Sequence, residues 1–529
     1  MQSYELILWM SIGLLAVAML ALHCNMRRDL MMLQQNSYMN DRYARWFNQS
    51  NESTNYQRIG GCIALFLCLM TNIPYCIGCG CAILIMLWIS IALLRRKYKK
   101  PLVVTKRVKR LYAVNAVLNI GIIALTWVLT GKAMYVAVVA VALNVVSPLI
   151  MLVSNIVLRP VEKHINQKFY DEAKAILQSM PELKIIGVTG SYGKTSTKHY
   201  LNRILSEKYD VMMTPGNFNT TLGVIRTIRE YLKPYNEVFI VEMGAKQLGD
   251  IKEICDLVHP TIGIVTAVGE QHLESFKTIE NVQRTKFELV DSLPSDGLAI
   301  LNNDFAMVAS RKVDNVKSVR YAVSNVEQAD YTATITEVAH NGTSFTVAGG
   351  GREYHFHTRL VGECNISNLM AAVIAAISLG VEENKIAYAI EKIEQVEHRL
   401  NMKRTAGGVT IIDDAYNSNP TGSKMALDVL SSMTEGQRIL VTPGMVELGE
   451  KQYELNKELG RYAATRADVI IVVGQYNQEA LSEGLTEGGA TEEKIKYAST
   501  FAEAQQILTQ ILKRGDIVLY ENDLPDTYK

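Results

Sequence analysis

Acidic side chains are nearly absent from the first 158 residues of this 529-residue chain, which hold 4 Asp+Glu against 15 Lys+Arg. The whole chain has 54 Lys+Arg and 53 Asp+Glu, so residues 159–529 hold 39 basic and 49 acidic side chains. The formal charge of +1 is therefore the sum of +11 and −10. This asymmetry excludes a single soluble globule. It also argues against nucleic-acid binding, because the basic excess lies between apolar runs.

Proline is scarce, with 12 residues, and 48% of the chain is hydrophobic, which excludes a largely disordered protein. Cys255 and Cys364 stand alone in the sequence, so no disulfide framework is expected. The spacing Cys76-x-x-Cys79-x-Cys81 could indicate a metal or redox site. No His or carboxylate lies in that stretch, however, and its glycines suit close helix packing. We therefore favour packing.

Four long apolar stretches occupy residues 4–24, 59–94, 111–130 and 133–158. About 20 apolar residues span a bilayer, and a turn near residues 72–74 divides the second stretch into a hairpin with a short first helix. The sequence predicts five membrane helices, or four if the short helix is re-entrant. A cleaved signal peptide is a competing interpretation of residues 4–24, but no basic segment precedes them and no small-residue cleavage site is evident.

Basic residues predict the orientation of these helices. Residues 95–110 carry nine Lys/Arg and no acid, and the first loop holds five arginines. By the positive-inside rule both loops are cytoplasmic. Five spans then place the N-terminus outside and everything after residue 158 in the cytoplasm of a multi-pass membrane protein. We expect a transmembrane domain (1–158), a connector (159–182), a central domain (183–397) and a C-terminal domain (398–529).

The usual G-x4-G-K-[ST] phosphate loop is missing, because Val188 stands six residues before Lys194. A T-G-x-x-G-K-T variant is present instead, between a strand at residues 184–189 and a helix from Ser196 to about residue 206. In such a loop, backbone N–H groups and the helix N-terminus bind phosphate, the lysine neutralises it, and the Thr hydroxyl reaches Mg²⁺. The predicted ATP-binding residues here are Gly190, Ser191, Gly193, Lys194, Thr195 and Ser196.

Three further side chains follow the phosphate loop in the sequence. Glu242 ends an apolar strand. It could be a Mg²⁺ ligand or an ordinary solvated residue at the end of a strand. His272 follows the next strand, at residues 262–267, and Lys286 lies in a predicted helix at residues 281–289. A lone His or Lys is normally a surface residue, so these two residues indicate a functional site only together with their motifs.

Taken in order, these motifs resemble the Mur ligases, ATP-dependent amide-forming enzymes of peptidoglycan synthesis, and most of all the branch that adds D-alanyl-D-alanine. The resemblance covers residues 183–523. It rests on TGSYGKTS (189–196), PGNFN (215–219), VEMGA (241–245), HLE (272–274), the Lys286 helix, GECNISN (362–368), His398-Arg399, IIDDAYNSNP (411–420) and PGMVELG (443–449).

The resemblance implies a mechanism in which ATP phosphorylates an acceptor carboxylate and an amine then attacks the acyl phosphate. Lys194 and Thr195 would act on ATP and one Mg²⁺, which Glu242 would share. His272 and a carbamylated Lys286 would hold a second Mg²⁺, since an unmodified lysine would repel the metal. These four residues, Lys194, Glu242, His272 and Lys286, form the implied catalytic set.

The same resemblance implies nucleotide contacts from Asn365 and Asn368, the latter to adenine, from Arg399 to phosphate and from Asp414 to ribose. Substrate contacts would come from Asn219, Thr220, Tyr416 and Asn417, the last two on the side of the incoming amine. The structural alternatives are that Asp413-Asp414 is an ordinary strand end and His398-Arg399 a charged linker.

Three departures from the family pattern concern the substrates. Predicted membrane helices stand where the family has an N-terminal domain that binds UDP. A muramyl-peptide-like acceptor could therefore be UDP-linked or lipid-linked. Alternatively, the helices could only anchor the enzyme to membrane lipid beside a cell-wall enzyme partner. Cys364 stands where the family often has His. The acidic residues 518–526 replace a Lys-Gly-Ser-Arg-like stretch, which disfavours a substrate carboxylate and makes D-Ala-D-Ala doubtful.

The predicted fold is multi-domain. An α-helical transmembrane domain precedes an α/β P-loop ATPase domain with a mostly parallel sheet and an antiparallel insertion at residues 331–357. An α/β Rossmann-like C-terminal domain follows, with strands at 409–413, 438–442, 469–473 and 517–520 but no G-x-G-x-x-G. ATP should bind between the two α/β domains. The rival functions are a polyglutamate-type polymer ligase and a non-catalytic membrane ATP-binding scaffold.

Overall fold

The computed structural model describes residues 2–50, 55–70, 74–98, 100–339, 342–415 and 418–524. The chain divides into two compact units. The first, the helical unit, comprises residues 1–167 with 524–529, and the second, the ligase unit, comprises residues 168–523.

The helical unit is built from long apolar helices. They are α1 (Gln2–Gln35), α2 (Asn40–Gln49), α3 (Tyr56–Leu69), α4 (Tyr75–Arg95), α5 (Lys106–Thr130), α6 (Ala133–Val145) and α7 (Ser147–Gln178), whose end belongs to the ligase unit. Because Pro148 lacks an N–H and its ring excludes the preceding turn, the last apolar stretch breaks into α6 and α7, bent by 78°.

By length and composition, three described helices could cross a membrane, namely α1, α4 and α5, or four if the bent pair α6–α7 is one span. Helix α3 has 14 residues. At about 1.5 Å per residue this is roughly 21 Å, shorter than a hydrocarbon core of about 30 Å. The prediction of five spans is therefore one too many by this criterion, and the alternative of four fits it. The predicted outside position of the N-terminus stays a prediction.

Polar contacts tie the helices of this unit together. Arg58 and Asp29 form a buried ion pair of 3.1 Å, and Asn144 donates to the Ala18 carbonyl at 3.0 Å. A Cβ on Gly78 would lie 2.4 Å from the Leu67 carbonyl oxygen, so α3 and α4 are in close contact there. This contact supports the packing interpretation of the cysteine-rich stretch around Gly78.

The central part of the ligase unit is a nine-stranded sheet in the order β2-β3-β1-β4-β5-β6-β7-β8-β9. Its strands are β1 (Lys184–Thr189), β2 (Val211–Met213), β3 (Val238–Glu242), β4 (Ile262–Val265), β5 (Leu298–Asn302), β6 (Lys317–Ala322), β7 (Tyr331–Ala339), β8 (Gly342–Gly349) and β9 (Arg352–Thr358). Strands β1 to β7 pair in parallel, whereas β7, β8 and β9 are antiparallel. The antiparallel insertion predicted at residues 331–357 is thus present.

Helices cover both faces of this sheet. They are α8 (Lys194–Leu205), α9 (Thr221–Glu230), α10 (Asp250–Val258), α11 (Leu273–Phe276), α12 (Ile279–Asp291), α13 (Ala306–Ala309), α14 (Glu363–Ser378) and α15 (Glu383–Glu391). Neighbouring strand residues alternate between two cores: Ile185 and Phe239 face one, Ile186 and Ile240 the other. Because both faces are buried, β1 and β3 are almost continuously apolar.

The C-terminal part of the ligase unit has a six-stranded sheet in the order β10-β11-β15-β12-β13-β14. Its strands are β10 (Asn401–Arg404), β11 (Thr410–Asp414), β12 (Arg438–Thr442), β13 (Val469–Val473), β14 (Ile495–Ala498) and β15 (Ile517–Glu521), and its helices are α16 (Pro420–Ser431), α17 (Gln452–Ala463), α18 (Gln478–Glu487) and α19 (Phe501–Ile511). All pairs are parallel except β10–β11. The four predicted strands are present, and β10 and β14 are additional.

The domain boundaries drawn from the sequence stay predictions. Helix α7 runs past residue 158, the expected end of the membrane domain, and through most of the expected connector. The two α/β sheets share one compact unit, so the expected boundary at residues 397–398 lies inside the ligase unit.

Candidate active site

The phosphate loop connects β1 to α8 and contains two glycines. Any other residue at either position would displace neighbouring atoms. Gly190 has φ +152° and Gly193 has φ +79°. A Cβ on Gly190 would lie 2.1 Å from Thr266 Oγ1, and one on Gly193 would lie 2.3 Å from Asn368 Oδ1. Ser191 Oγ donates to the Gly269 carbonyl and accepts from the Gly269 N–H, both at 3.0 Å. The loop is therefore packed against the turn that leads to His272.

The lysine and hydroxyls of the loop lie at the start of α8. Lys194 Nζ donates to the Gly190 carbonyl at 2.6 Å, so its ammonium group stays over the loop. Burial lowers the pKa of Lys194 to about 8, although Glu242 raises it. Thr195 Oγ1 donates to Glu242 Oε1 at 3.2 Å, and Ser196 is buried in the first turn. Free N–H groups at this helix N-terminus, with the lysine, suit phosphate oxygens.

Glu242 ends β3 at the centre of a polar cluster. Its Oε1 accepts from Thr195 and from Asn219 Nδ2 at 3.0 Å, and its Oε2 is 2.9 Å from Lys198 Nζ. Burial raises the pKa of the Glu242 carboxyl, but Lys198 and Lys194 outweigh it and hold the pKa below its ordinary value. Glu242 is therefore a carboxylate whose Oε1 lies beside the Thr195 hydroxyl, and the solvated strand-end interpretation is wrong.

Sequence reasoning missed Lys198, which is fully buried. Besides Glu242, its ammonium group donates to the carbonyls of Thr214 (2.9 Å) and Gly216 (2.7 Å). It thus connects the carboxylate to the turn that precedes Asn219. The available signal was the spacing: Lys198 lies four residues after Lys194, one helical turn further along α8.

His272 lies in the left-handed region, with φ +52°. Its Nδ1 contacts the Glu447 carboxylate of the C-terminal part, and Glu447 also pairs with Lys246 at 3.3 Å. Burial lowers the pKa of the His272 imidazole; Glu447 opposes this, and Lys246 and Lys286 lower the pKa further. Burial likewise raises the pKa of Glu447, but His272 and Lys246 hold it far below its ordinary value. Glu447 lies inside a motif noted in the sequence but was not singled out there.

Lys286 is 1% exposed in the interior face of α12. Burial lowers its pKa to about 7, with a further contribution from Lys194. Among the described residues its Nζ has no hydrogen-bond or ion-pair partner. A buried ammonium without a partner is costly, and this cost is the physical cause of the lowered pKa.

The described residues include no group of three or more His, Cys, Asp and Glu side chains that could hold a metal ion. Mg²⁺ nevertheless needs few protein ligands, because it keeps waters and takes substrate phosphate oxygens. Thr195 Oγ1 and Glu242 Oε1, 3.2 Å apart, suit one such site. His272 and Lys286 suit a second site only if the lysine carries a carbamate, since an ammonium group would repel the metal.

The expected nucleotide residues occupy different environments. Asn368 packs on Gly193, and Thr197 donates to its Oδ1 at 3.4 Å. Asn365 accepts from the Tyr200 hydroxyl at 2.8 Å and donates to the Val361 carbonyl at 2.9 Å, so its side chain is already used in packing α14. The role of Asn365 in nucleotide binding stays a prediction.

Arg399 and Asp414 both belong to the C-terminal part, and Arg399 approaches the phosphate loop. Arg399 is close enough to Lys194 to lower the pKa of that lysine. Burial raises the pKa of Asp414 to about 6, which Arg399 opposes. Asp413 accepts from or pairs with His398 at 2.7 Å. His398 therefore contacts the end of β11, although its side chain is half exposed.

The expected substrate residues are only partly described. Asn219 contacts Glu242, as above. Thr220 caps α9, because its hydroxyl accepts from the Gly223 N–H at 3.3 Å. Tyr416 and Asn417 lie outside the described residues. Cys364 is a thiol whose pKa burial raises to about 12, so it offers no charge to a nucleotide.

Glu521 is a second carboxylate that sequence reasoning did not assign. It ends β15, is 1% exposed, and accepts from the hydroxyls of Ser418, Ser423 (2.6 Å) and Thr442 (2.8 Å). Burial raises its pKa against these three hydrogen bonds. It lies at the carboxyl ends of parallel strands, where ligands of such sheets bind, and an acidic residue in this stretch was the only signal.

Comparison with known proteins identifies the ligase unit. Residues 188–376 match the Mur ligase middle domain, and residues 398–520 match the Mur ligase glutamate ligase domain. The UDP-N-acetylmuramoyl-tripeptide–D-alanyl-D-alanine ligase of Bacillus subtilis is 30% identical over 354 residues, covering 66% of this chain and 75% of the relative. The Escherichia coli enzyme of the same name is 29% identical over 355 residues, covering 65% and 77%.

Solved structures agree with these matches. MurF from Acinetobacter baumannii has a TM-score of 0.62 at 28% identity and covers 68% of this chain and 78% of its own. MurF from Thermotoga maritima in complex with ADP has a TM-score of 0.60 at 26% identity, covering 68% and 80%. Motifs, fold and relatives coincide over the same residues, and the chain therefore belongs to the Mur ligase family of ATP-dependent ligases.

Proposed function

We propose that this protein is a membrane-anchored, cell-wall-type ligase that activates an acceptor carboxylate as an acyl phosphate and joins it to an amino acid or dipeptide amine. The observation that carries this proposal is the cluster in which Lys194, Thr195 and Glu242 meet beside the phosphate loop, with His272 and Lys286 on neighbouring elements. The D-alanyl-D-alanine-adding relatives make the same type of bond by name.

Each residue has a defined task in this reaction. The α8 N-terminus and Lys194 bind the ATP phosphates, and Arg399, close to Lys194, adds positive charge from the C-terminal part. Asp414 and Asn368 hold the nucleoside. Bound Mg²⁺ would neutralise the phosphate oxygens, with Thr195 and Glu242 holding one ion and His272 and Lys286 a second. Charge neutralisation of this kind is the main contribution to phosphoryl transfer.

The proposed carbamate on Lys286 follows from its environment. The amine is buried, has a lowered pKa and lacks a partner among the described residues. The nitrogen of a neutral amine forms a bond to the carbon of CO₂ and releases one proton to solvent, and the resulting carbamate is an anion that suits a metal. We expect Lys286→Ala to lose at least 100-fold in activity and to recover partly with formate or acetate, but not with bicarbonate. Lys312→Ala, which changes a lysine that is 86% exposed, is the matched control.

A direct measurement accompanies this test. Protein equilibrated with ¹³CO₂ should show a carbamate carbon signal by ¹³C NMR that Lys286→Ala lacks and Lys312→Ala keeps. Full activity of Lys286→Ala would remove this lysine from the mechanism. Loss of activity without a carbamate signal in the unaltered protein would leave Lys286 a purely structural residue.

Membrane attachment is proposed from the composition of α1, α4 and α5 and from the basic loops beside them. Because residues 1–158 stand where relatives carry a UDP-binding domain, we propose a lipid-linked muramyl-peptide-like acceptor. We propose that the acidic stretch after β15, which includes Asp523, favours an amine over a substrate carboxylate there and so disfavours D-Ala-D-Ala as the incoming group.

The decisive experiment uses the full chain in detergent with Mg-ATP. Phosphate release is measured with lipid-linked or UDP-linked muramyl peptide, each combined with D-Ala-D-Ala, its C-terminal amide or single amino acids, and products are identified by mass. Release that needs both an acceptor and an amine, with the matching amide, establishes the ligase and names its substrates. Repeated addition would indicate a polymer ligase. Bound ATP without turnover for any pair would indicate a scaffold, and equal use of both acceptors would refute the lipid-linked preference.

A further inference from the structure

The turn of the C-terminal part that contains Glu447 contacts the turn that contains His272. Glu447 makes two contacts there: its carboxylate contacts His272 Nδ1, and its carbonyl accepts from the Glu274 N–H at 3.0 Å. Its carboxylate also accepts from Lys246 Nζ, in the loop after β3, at 3.3 Å. Nearby, a Cβ on Gly449 would lie 3.2 Å from the Glu274 backbone. The two turns are therefore in direct contact, and Glu447 is the side chain that joins them.

The chemistry of this contact determines what His272 can do. A carboxylate only accepts hydrogen bonds, so the Nδ1 that faces Glu447 carries the proton. The neutral ring then has its lone pair on Nε2, which is the form that binds a metal. Histidines that bind metals almost always donate their other N–H to such a carboxylate, which fixes the ring orientation.

The backbone of both residues is in a conformation that costs conformational energy. His272 has φ +52° and Glu447 has φ +62°, which places two non-glycine residues in the left-handed region. Non-glycine residues persist in this region when their surroundings hold them there, and they cluster at functional sites. Each of these two residues is held by the other.

We propose that Glu447 is a positioning residue for His272, through which docking of the C-terminal part completes the second metal site. This inference rests on the proposed metal role of His272. When the C-terminal part moves away, His272 loses the acceptor that selects its tautomer, so metal binding at this site requires the docked state. ATP-dependent chemistry is thereby restricted to the arrangement in which both parts contact the nucleotide.

The test measures Mn²⁺ binding to the full chain in detergent, by the EPR signal of free Mn²⁺ in the presence of a non-hydrolysable ATP analogue. We expect the unaltered protein to bind two ions and Glu447→Ala to bind one of them 10- to 100-fold more weakly. Glu447→Gln, which keeps an acceptor oxygen, should be intermediate. Glu450→Ala removes an exposed carboxylate from the same turn and should change nothing.

Activity provides a second readout. The Mg²⁺ concentration for half-maximal rate should rise with Glu447→Ala while KM for ATP changes less than twofold. In a His272→Ala background, Glu447→Ala should add no further loss of Mn²⁺ affinity. Unchanged Mn²⁺ binding by a folded, ligating Glu447→Ala protein would overturn this inference alone. A single Mn²⁺ site in the unaltered protein would overturn both this inference and the proposed metal role of His272.

Discussion

The buried ammonium group of Lys198 provides the sharpest test of how the site is built. Its Nζ donates two hydrogen bonds, to the carbonyls of Thr214 and Gly216 at 2.9 and 2.7 Å, and forms an ion pair with Glu242 Oε2 at 2.9 Å. The side chain has no exposure to solvent. Lys198→Met keeps nearly the same volume and removes both hydrogen bonds, the ion pair and the positive charge.

The expected cost is that of an uncompensated buried charge. Removing one partner of a buried ion pair costs about 3–5 kcal/mol. At about 2.1 cal/mol/K of unfolding entropy per residue over the ligase unit of about 350 residues, this lowers Tm by roughly 4–7 °C. Because Glu242→Gln removes the other partner, the double variant should lose at least about 2 kcal/mol less than the sum of the two single losses.

The assay is thermal unfolding of the full chain in detergent, read at the transition that shifts upward when an ATP analogue binds. Lys208→Met is the matched control, since Lys208 also donates to two carbonyls, of Leu379 and Gly380, but is exposed and lacks an ion pair. Its expected loss is below about 1 kcal/mol. A shift for Lys198→Met no larger than the control, or full additivity with Glu242→Gln, would refute the reasoning.

Three more predictions concern the neighbouring loops. Gly190→Ala places a Cβ 2.1 Å from Thr266 Oγ1. The affinity for an ATP analogue, measured by calorimetry, should therefore fall more than tenfold, while the circular dichroism spectrum is unchanged. Retained affinity would contradict the packing argument. Because the folded-state pKa of Asp414 is raised from 3.8 to about 6, its ionisation destabilises the fold as pH rises from about 4 to 6, by up to about 3 kcal/mol, and Asp414→Asn should flatten Tm over that window. Ser191→Ala leaves both polar groups of Gly269 without their partner and should cost about 1–3 kcal/mol in denaturant unfolding, whereas a neutral result would show that water replaces the hydroxyl.

Much of the fold followed from local sequence patterns. The strand at residues 184–189, the glycine turn and the helix after it could be predicted because each has its own local signal: apolar residues, positive-φ glycines and a Lys-Thr helix start. Strands β12 and β13 likewise coincide with apolar runs. Strand β10 could not be found in this way, because it has four residues and is defined by its pairing with β11.

The helical unit shows the opposite limit. Hydropathy located the apolar stretches but not where helices begin and end within them. Helix α3 ends at Leu69 after 14 residues, and Pro148 divides the last stretch. A helix can span a bilayer only if it is long enough along its axis, whatever its apolar composition. That length depends on where the helix is broken, and a hydropathy average over a window does not show such breaks.

Side-chain partners across distant segments were the least predictable part of the site. Lys198 contacts a turn 16 to 18 residues away and a strand end beyond it. Glu447 contacts His272 across 175 positions. A charged residue in a helix or turn is usually exposed, so burial of Glu447 could not be predicted, and burial of Lys198 had only its spacing from Lys194 as a signal.

All of these partners lie in one of the two compact units of the chain. The groups assigned to phosphate and metal chemistry, Lys194, Glu242, His272 and Lys286, belong to the ligase unit, as does Glu447 that supports them. In the proposed function, the charges that act on ATP thus come from the ligase unit, and we expect the substitutions that alter acceptor choice to fall outside this set.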